Sequence, residues 1–138
     1  MRKKCVQVVV LAIVLTLLIS TVASAAMYSS DYISATSAGI TRNGNTVTVN
    51  FYIAGVGMMD LIGVKYIYLY EKNGLNWSLV KSFDYTDPLY ATAMMQSNTS
   101  TKNGSVSYTG SAGKQYFASC WFYAEKDGGS DTFPHNAY

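Results

Sequence analysis

The sequence predicts an all-β domain: an immunoglobulin-like or fibronectin-type-III-like β-sandwich of about seven short strands, preceded by a signal-peptide helix. Three observations favour this class. Turn signals recur about every 8–12 residues. Residues 46–54 alternate strictly between apolar and polar side chains, which indicates a half-buried strand. Residues 106–124 read as a strand, a glycine-rich corner and a second strand.

The amino terminus has the three parts of a secretory signal peptide. Arg-Lys-Lys at positions 2–4 forms a basic region, residues 6–19 are almost wholly apolar, and Ala-Ser-Ala at positions 23–25 offers small residues for cleavage. We expect residues 1–25 to be removed and the protein to be extracellular, either free or associated with the cell surface. The alternative is an uncleaved anchor, because the apolar run nearly reaches the roughly 20 residues that span a membrane.

Residues 26–138 form one predicted domain with little net charge. They hold seven of the ten Lys and Arg residues and all eight Asp and Glu residues, which gives a net charge of −1. This balance excludes a nucleic acid partner, because binding a phosphate backbone needs a basic patch. After cleavage we also expect no membrane contact. Cys5 leaves with the signal peptide, so no disulfide forms within the domain, and Cys120 is expected to be a buried, inert thiol.

The strands are separated by turn signals and by two longer connections. The segment 55–63 is bounded by glycines and is predicted to be a loop. The segment 84–103 is either a functional loop or a short helical or edge-strand excursion. Pro134 confines the last strand to an edge of the sheet. The predicted strands are 32–41, 46–54, 64–72, 77–83, 105–108, 116–125 and 131–138.

Tyr116 has the position of a corner tyrosine. In immunoglobulin-like domains, a tyrosine near the start of the strand after the corner hydrogen-bonds the backbone a few residues upstream. Tyr116 follows Gly110 and Gly113 and begins such a strand. The alternative is an ordinary core tyrosine.

Several short motifs occur in a fixed order along the domain. They are Met59-Asp60 with Ile62-Gly63, Tyr70-Glu71-Lys72, Trp77 with Val80-Lys81, Tyr108-Thr109-Gly110 with Gly113-Lys114 and Tyr116, and Gly129-Ser130-Asp131. In this order they resemble the small exported single-domain proteins of unknown function from clostridial-type Gram-positive bacteria. The resemblance covers nearly all of residues 26–138 and implies export and a β-rich domain. It implies no activity, so no functional residue carries over.

Catalytic and metal-binding residue sets are sparse in this sequence. His135 is the one histidine, and it lies near the end of the chain, where a general base is difficult to hold in place. No phosphate-binding glycine loop is present, and the domain has too few His and Cys residues for a zinc site. We expect no enzyme activity and no cofactor. Asp127 and Asp131 in a glycine-rich turn are a calcium candidate, with a solvated turn as the alternative.

Aromatic side chains are the main functional clue, and all twelve tyrosines lie in residues 26–138. If the strands 64–72 and 116–125 are neighbours with their aliphatic side chains inward, their rings face solvent. Exposed apolar patches of that size indicate an interaction site, and rings with a polar tip suit a glycan or a protein. The predicted ligand-binding residues are Tyr66, Tyr68, Tyr70, Phe117, Trp121 and Tyr123.

These observations predict a secreted, non-catalytic binding or adhesion module with an extracellular protein or glycan partner. One alternative is that the rings only stabilise the sheet in cross-strand pairs, or that the segment 84–103 covers them. Another is a structural or self-associating extracellular protein, and the sequence leaves its oligomeric state open. A calcium-binding module and a small exported enzyme rank behind both.

Overall fold

The computed structural model describes residues 30–138, and the predicted signal peptide lies outside the described residues. These residues form a curled antiparallel sheet of six strands with one short helix, so the all-β class is confirmed. The elements are β1 (Ile33–Asn43), β2 (Thr46–Asn73), β3 (Asn76–Asp84), α1 (Ala91–Met94), β4 (Met95–Thr109), β5 (Tyr116–Lys126) and β6 (Gly129–Ala137).

The 28-residue strand β2 organises the sheet, because it pairs with four of the other five strands. Its first part lies between β1 and β4, and its last part lies between β3 and β5. β6 extends the sheet beyond β5. Between the two parts, the register against β4 jumps from Ala54 opposite Thr101 to Met59 opposite Thr99, so residues 55–58 form a bulge.

The predicted loop over residues 55–63 is wrong, because β2 continues through this segment. Met59 and Ile62 are buried in the core, and residues 59–63 pair with the first residues of β4. Gly63 allows a close approach of two backbones, because a Cβ at this position would overlap the carbonyl oxygen of Met94. The segment 84–103 contains α1 and the first part of β4, which agrees with the predicted helical or edge-strand excursion.

The remaining predicted strand ends agree with the structure to within two residues, except that β4 begins well before residue 105. The hairpin turns contain two residues each, at 44–45, 74–75 and 127–128. Each has a residue with positive φ, which two-residue hairpin loops require. These residues are Gly44, Gly74, Asp127 and Gly128.

The core lies on the inner side of the curled sheet. The predicted alternation in residues 46–54 is confirmed, because Val47, Val49, Phe51 and Ile53 are buried. β5 contributes Phe122, whose ring meets that of Phe51 edge-on at 6.4 Å and 77°. Burying a large apolar side chain contributes about 1.5–3 kcal/mol. The further fully buried residues are Ile62, Val64, Ile67, Leu69, Phe83, Met94, Ala118, Cys120 and Ala124.

The sheet curls until β1 approaches β6. The Ser30 hydroxyl donates to Asp131 Oδ2 at 2.6 Å, and Thr36 Oγ1 lies 3.3 Å from His135 Nδ1. Within residues 30–138, β6 pairs with no strand except β5. The predicted edge position of Pro134 is therefore confirmed.

The close approach at Gly104 can be tested by substitution. A Cβ at this position would overlap the Phe51 ring and the carbonyl oxygen of Ala93. We expect Gly104→Ala to lower the free energy of unfolding by about 1–3 kcal/mol in a urea titration, as overpacking does. Gly39→Ala is the matched control, because its Cβ would meet nothing within 4 Å. Equal losses in the two variants would contradict this account of the packing.

Candidate functional site

The outer face of β2, β3 and β5 carries a group of neighbouring aromatic rings. The register places Tyr70 opposite Phe117 and Tyr66 opposite Trp121, so rings of β2 and β5 lie side by side. Trp77 of β3 and Tyr138 after β6 join them through contacts with Phe117. We call this set the aromatic surface: Tyr66, Tyr68, Tyr70, Trp77, Phe117, Trp121 and Tyr138.

Phe117 is the centre of the ring contacts. Its ring stacks on Tyr70 at 4.9 Å and 19°, and on Tyr138 at 5.6 Å and 25°. Trp77 meets Phe117 edge-on at 5.5 Å and 69°. Such pairs are worth about 0.5–1.5 kcal/mol beyond their buried area. This part of the aromatic surface is therefore held in place by its own packing.

The other end of the aromatic surface is more open. Tyr66 and Tyr68 stack at 6.2 Å and 16°, and both side chains are half-buried. Trp121 is 39% exposed, and its ring has no aromatic partner within residues 30–138. Five of the six predicted ligand-binding residues therefore lie together on the outer face: Tyr66, Tyr68, Tyr70, Phe117 and Trp121. Ligand binding by them stays a prediction.

Tyr123 is the exception, and its predicted exposure is wrong. It is 7% exposed, and Lys65 Nζ lies 3.6 Å from its ring centroid. A register shift in β2 between Val64 and Tyr66 leaves Lys65 without a partner on β5 and beside this ring. The Tyr123 hydroxyl donates to Glu125 Oε2 at 2.5 Å. Burial, and next the bond to Glu125, raise the pKa of Tyr123.

The segment 84–103 closes the core at the inner side of the sheet. Its Tyr90 ring meets Phe83 edge-on at 5.1 Å, and Phe83 lies opposite buried Ile67. Met94 of α1 is fully buried. The alternative in which this segment covers the rings is therefore wrong for Trp121, which remains exposed.

Tyr116 makes the predicted corner contact. Its hydroxyl oxygen accepts the backbone N–H of Ser111 at 2.8 Å and donates to Glu71 Oε2 at 2.7 Å. Burial, and next the bond to Glu71, raise the pKa of Tyr116. The hydroxyl therefore stays neutral at physiological pH and joins the corner to β2.

Cys120 is buried and inert, as the sequence predicts. Burial raises the pKa of its thiol to about 12. The register places His135 opposite Cys120, but His135 Nδ1 lies beside Thr36 Oγ1. Because the thiolate is the reactive form of cysteine, this pair offers no nucleophile at neutral pH.

Of the two calcium candidates, the Asp131 side chain and the Asp127 backbone make protein contacts. Asp131 Oδ2 accepts the Ser30 hydroxyl, and the backbone N–H of Asp127 donates to Asp60 Oδ2 at 2.8 Å. Residues 30–138 contain no group of three or more His, Cys, Asp or Glu side chains that could hold a metal ion. The turn is therefore fixed by these bonds, and calcium binding has no support from this arrangement.

A cavity of about 410 Å³ opens at the end of the aromatic surface near Trp77, and we call it the end cavity. Arg42 lies in its wall and donates to the carbonyl oxygens of Ser111 and Lys114, at 2.7 and 2.5 Å. Lys114 Nζ donates to Asn73 Oδ1 at 2.9 Å. The lining residues are Ile40, Arg42, Trp77, Lys114, Gln115, Tyr116 and Tyr138.

The site predicted from the sequence does not include Trp77 or Tyr138. The registers of two hairpins with two-residue turns place both residues there. The two-residue turn at 74–75 sets Asn73 opposite Asn76, which places Trp77 beside Lys72. The turn at 127–128 sets Ala118 opposite Ala137, which brings Tyr138 to Phe117.

Comparison of the chain with protein-family models, with curated proteins and with solved structures finds no match in any of the three. The resemblance to small exported proteins of clostridial-type bacteria therefore stays a prediction. Across residues 30–138, no helix has the length and apolar character needed to cross a membrane.

The Tyr116 hydroxyl gives a prediction on stability and its pH dependence. Tyr116→Phe removes both hydroxyl bonds and should lower the free energy of unfolding by about 1–3 kcal/mol. Because the folded-state pKa is raised, the hydroxyl stabilises the fold below pH 10.0, and this contribution is lost as the pH rises through the raised pKa. Above pH 10.0, Tyr116→Phe should therefore lose stability less steeply than the parent protein in denaturant titrations.

Tyr108→Phe is the control for this measurement. Tyr108 packs edge-on against Tyr116 at 6.4 Å, and its hydroxyl has no hydrogen-bond partner among the described residues. It should change stability little at any pH. An equal effect of the two substitutions would show that the corner bonds contribute nothing.

Burial of Cys120 predicts a thiol that is protected in the folded state. A Cys5→Ser chain leaves Cys120 as its one thiol. At pH 8 a thiol with a pKa of about 12 has a thiolate fraction of about 10⁻⁴, and burial also excludes the reagent. We expect slow reaction with a disulfide reagent in buffer and complete reaction of one thiol in guanidinium. Rapid reaction in buffer would contradict this burial.

Proposed function

We propose that the protein is a secreted, non-catalytic binding or adhesion module that holds a glycan or protein ligand on the aromatic surface. The observation that carries this proposal is the exposure of both tryptophans of the chain on that one surface. Trp77 is 41% exposed and Trp121 is 39% exposed. An indole ring left in water does not gain the burial free energy of about 25 cal/mol for each Å² of apolar surface.

The ring contacts distinguish rings that stabilise the sheet from a ring that is available to a ligand. Tyr70 and Phe117 are a cross-strand stacked pair, so their position is explained by stabilisation of the sheet. Trp121 has no such ring partner among residues 30–138, and it lies opposite Tyr66 on β2 and Pro134 on β6. Packing leaves its exposure unexplained, and exposed apolar surface of this kind marks interaction sites.

Aromatic rings with polar tips suit the two proposed ligand classes. Ring faces pack against the C–H faces of a sugar, and the hydroxyl or indole N–H bonds its oxygens. Tyrosine and tryptophan are also enriched where proteins bind proteins. Tyr68 and Trp121 offer both properties in the open part of the aromatic surface.

Export and the relationship to immunoglobulin-like domains belong to the same proposal. The signal sequence at residues 1–25 supports export. The bond from Ser111 to Tyr116 and the pairing of β2 with β5 support an immunoglobulin- or fibronectin-like relationship. The continuous hydrogen bonding through β2 joins strands that a sandwich of that type divides between two sheets.

Self-association is a second candidate, favoured by the outer edge of β3. Within residues 30–138, β3 pairs with β2 alone, so its other edge is open. Leu75 is 98% exposed at the hairpin tip, and Leu79 is also exposed. An open edge with apolar side chains invites pairing with a second copy. Light scattering across a range of concentrations decides this candidate, because a constant monomer mass would contradict it.

The binding proposal predicts that two ring deletions remove ligand affinity without unfolding the protein. Trp121→Ala and Tyr68→Ala should each weaken binding about 30-fold or more, which is the effect of truncating an aromatic anchor. Ligands are first found on a glycan array and with purified extracellular proteins, and affinities are then measured by titration. The thermal midpoint of Trp121→Ala should change little, because this side chain is 39% exposed, and Tyr68→Ala should lose only the stacking of half-buried Tyr68 on Tyr66.

Leu89→Ala is the matched control for these two variants. Leu89 is an exposed apolar residue that lies outside the aromatic surface, so its loss should leave affinity unchanged. A large fall in the thermal midpoint of Trp121→Ala would show that the ring is a packing element. Unchanged affinity in both ring variants would reject the aromatic surface as the binding site.

A further inference from the structure

We propose that the end cavity binds a carboxylate-bearing sugar unit of an acidic polysaccharide. This inference rests on the proposed binding function and names a ligand class and a second contact region for it. Its basis is the meeting of aromatic walls and cationic side chains in one cavity.

The cavity has the size of a small-ligand site, and the Trp77 side of its wall is held by ring contacts. Its volume of about 410 Å³ lies within the roughly 300–1,000 Å³ of such sites. Trp77 lies on β3 and meets Phe117 edge-on, so its ring is held before a ligand arrives, and the 80% exposed Tyr138 stacks on Phe117 from the end of the chain. Side chains that are already ordered lose little conformational entropy on binding. The rings therefore form a platform for the apolar face of a sugar.

Positive charge is concentrated at this end of the molecule. Arg42 and Lys114 line the cavity, and Lys72 Nζ lies 5.9 Å from the Trp77 ring centroid. These are three of the seven Lys and Arg residues in a domain whose net charge is −1. The cavity therefore attracts anions although the whole domain does not.

The Glu71 carboxylate, which lies beside these cations, is already engaged. Glu71 Oε2 accepts the Tyr116 hydroxyl, and Glu71 Oε1 lies 4.0 Å from Lys114 Nζ. Tyr116 adds no negative charge, because burial and Glu71 raise its pKa. Even when the terminal carboxylate of Tyr138 is counted together with Glu71, two acids face three cations, so a net positive charge remains for a ligand.

Hydrogen-bond donors remain available on both cavity cations. The Arg42 guanidinium donates from Nη1 to the Lys114 carbonyl oxygen and from Nη2 to the Ser111 carbonyl oxygen. A guanidinium has five N–H donors, so these two bonds do not use all of them. Lys114 Nζ donates to Asn73, and an ammonium has three donors. A carboxylate is the matching acceptor, and bonds between charged partners are the stronger class. A neutral sugar would leave this charge uncompensated.

The test compares acidic polymers with their neutral counterparts. The purified protein is titrated with polygalacturonate, alginate and hyaluronan, and with the same polymers after their carboxyl groups have been reduced to alcohols. We expect at least one acidic polymer to bind about tenfold or more tightly than its reduced form, as the loss of a charge-assisted hydrogen bond implies. Added salt should weaken binding of the acidic form, because these cations are partly exposed.

Substitutions then place the acid preference in the end cavity. Lys114→Gln should remove most of the preference, whereas Lys114→Arg should keep it. Lys126→Gln is the matched control, because Lys126 lies at the other end of β5 and should have no effect. Trp77→Ala should weaken the acidic and the reduced polymer alike, because it removes the ring platform. Thermal midpoints show whether each variant is folded.

Each result is assigned to one proposal. Equal affinity for acidic and reduced polymers, or equal effects of Lys114→Gln and Lys126→Gln, would overturn the end-cavity site. If a neutral glycan or protein still binds in a manner that needs Trp121, the proposed function stands and this inference fails alone. Absence of any ligand for the protein would remove both. Binding of an acidic peptide in place of the polymers would also overturn the inference.

Discussion

The inward face of β2 is the constraint on which the rest of the structure depends. Val49 and Ile53 in its first part and Ile67 and Leu69 in its last part are all fully buried. Because side chains alternate along a strand, a slip of one residue would turn all of them to solvent. The register of every strand paired with β2 is tied to this choice. The bulge at residues 55–58 lets one strand serve both parts of the curled sheet.

The same alternation creates the aromatic surface. Burying Ile67 and Leu69 obliges Tyr66, Tyr68 and Tyr70 to face outward. The position of these rings is therefore determined by the packing of the core. A surface built in this way is rigid, which lowers the entropy lost when a ligand binds.

Local patterns in the sequence predict much of the fold and part of the candidate site. Alternation identifies the strands, and glycine-containing turns identify the hairpins. The loop predicted over 55–63 is wrong because glycines are typical of loops, whereas here they lie in a bulge and at a close approach to Met94. The predicted exposure of Tyr123 is wrong, and the register shift near Lys65 that accompanies its burial leaves no trace in the spacing of apolar residues. The end cavity depends on Arg42 reaching Lys114, 72 residues away, which no local pattern reveals.

A strand shared by both parts of the sheet also affects how the chain reaches its folded state. Thr46 pairs with Thr109, and Leu61 pairs with Glu125, so partners distant in sequence must meet before β2 is covered on both edges. Proteins dominated by such distant contacts fold on the scale of milliseconds to seconds. Because both parts include β2, neither part can unfold without breaking hydrogen bonds to this strand. Unfolding should therefore take the two parts together, as one cooperative unit.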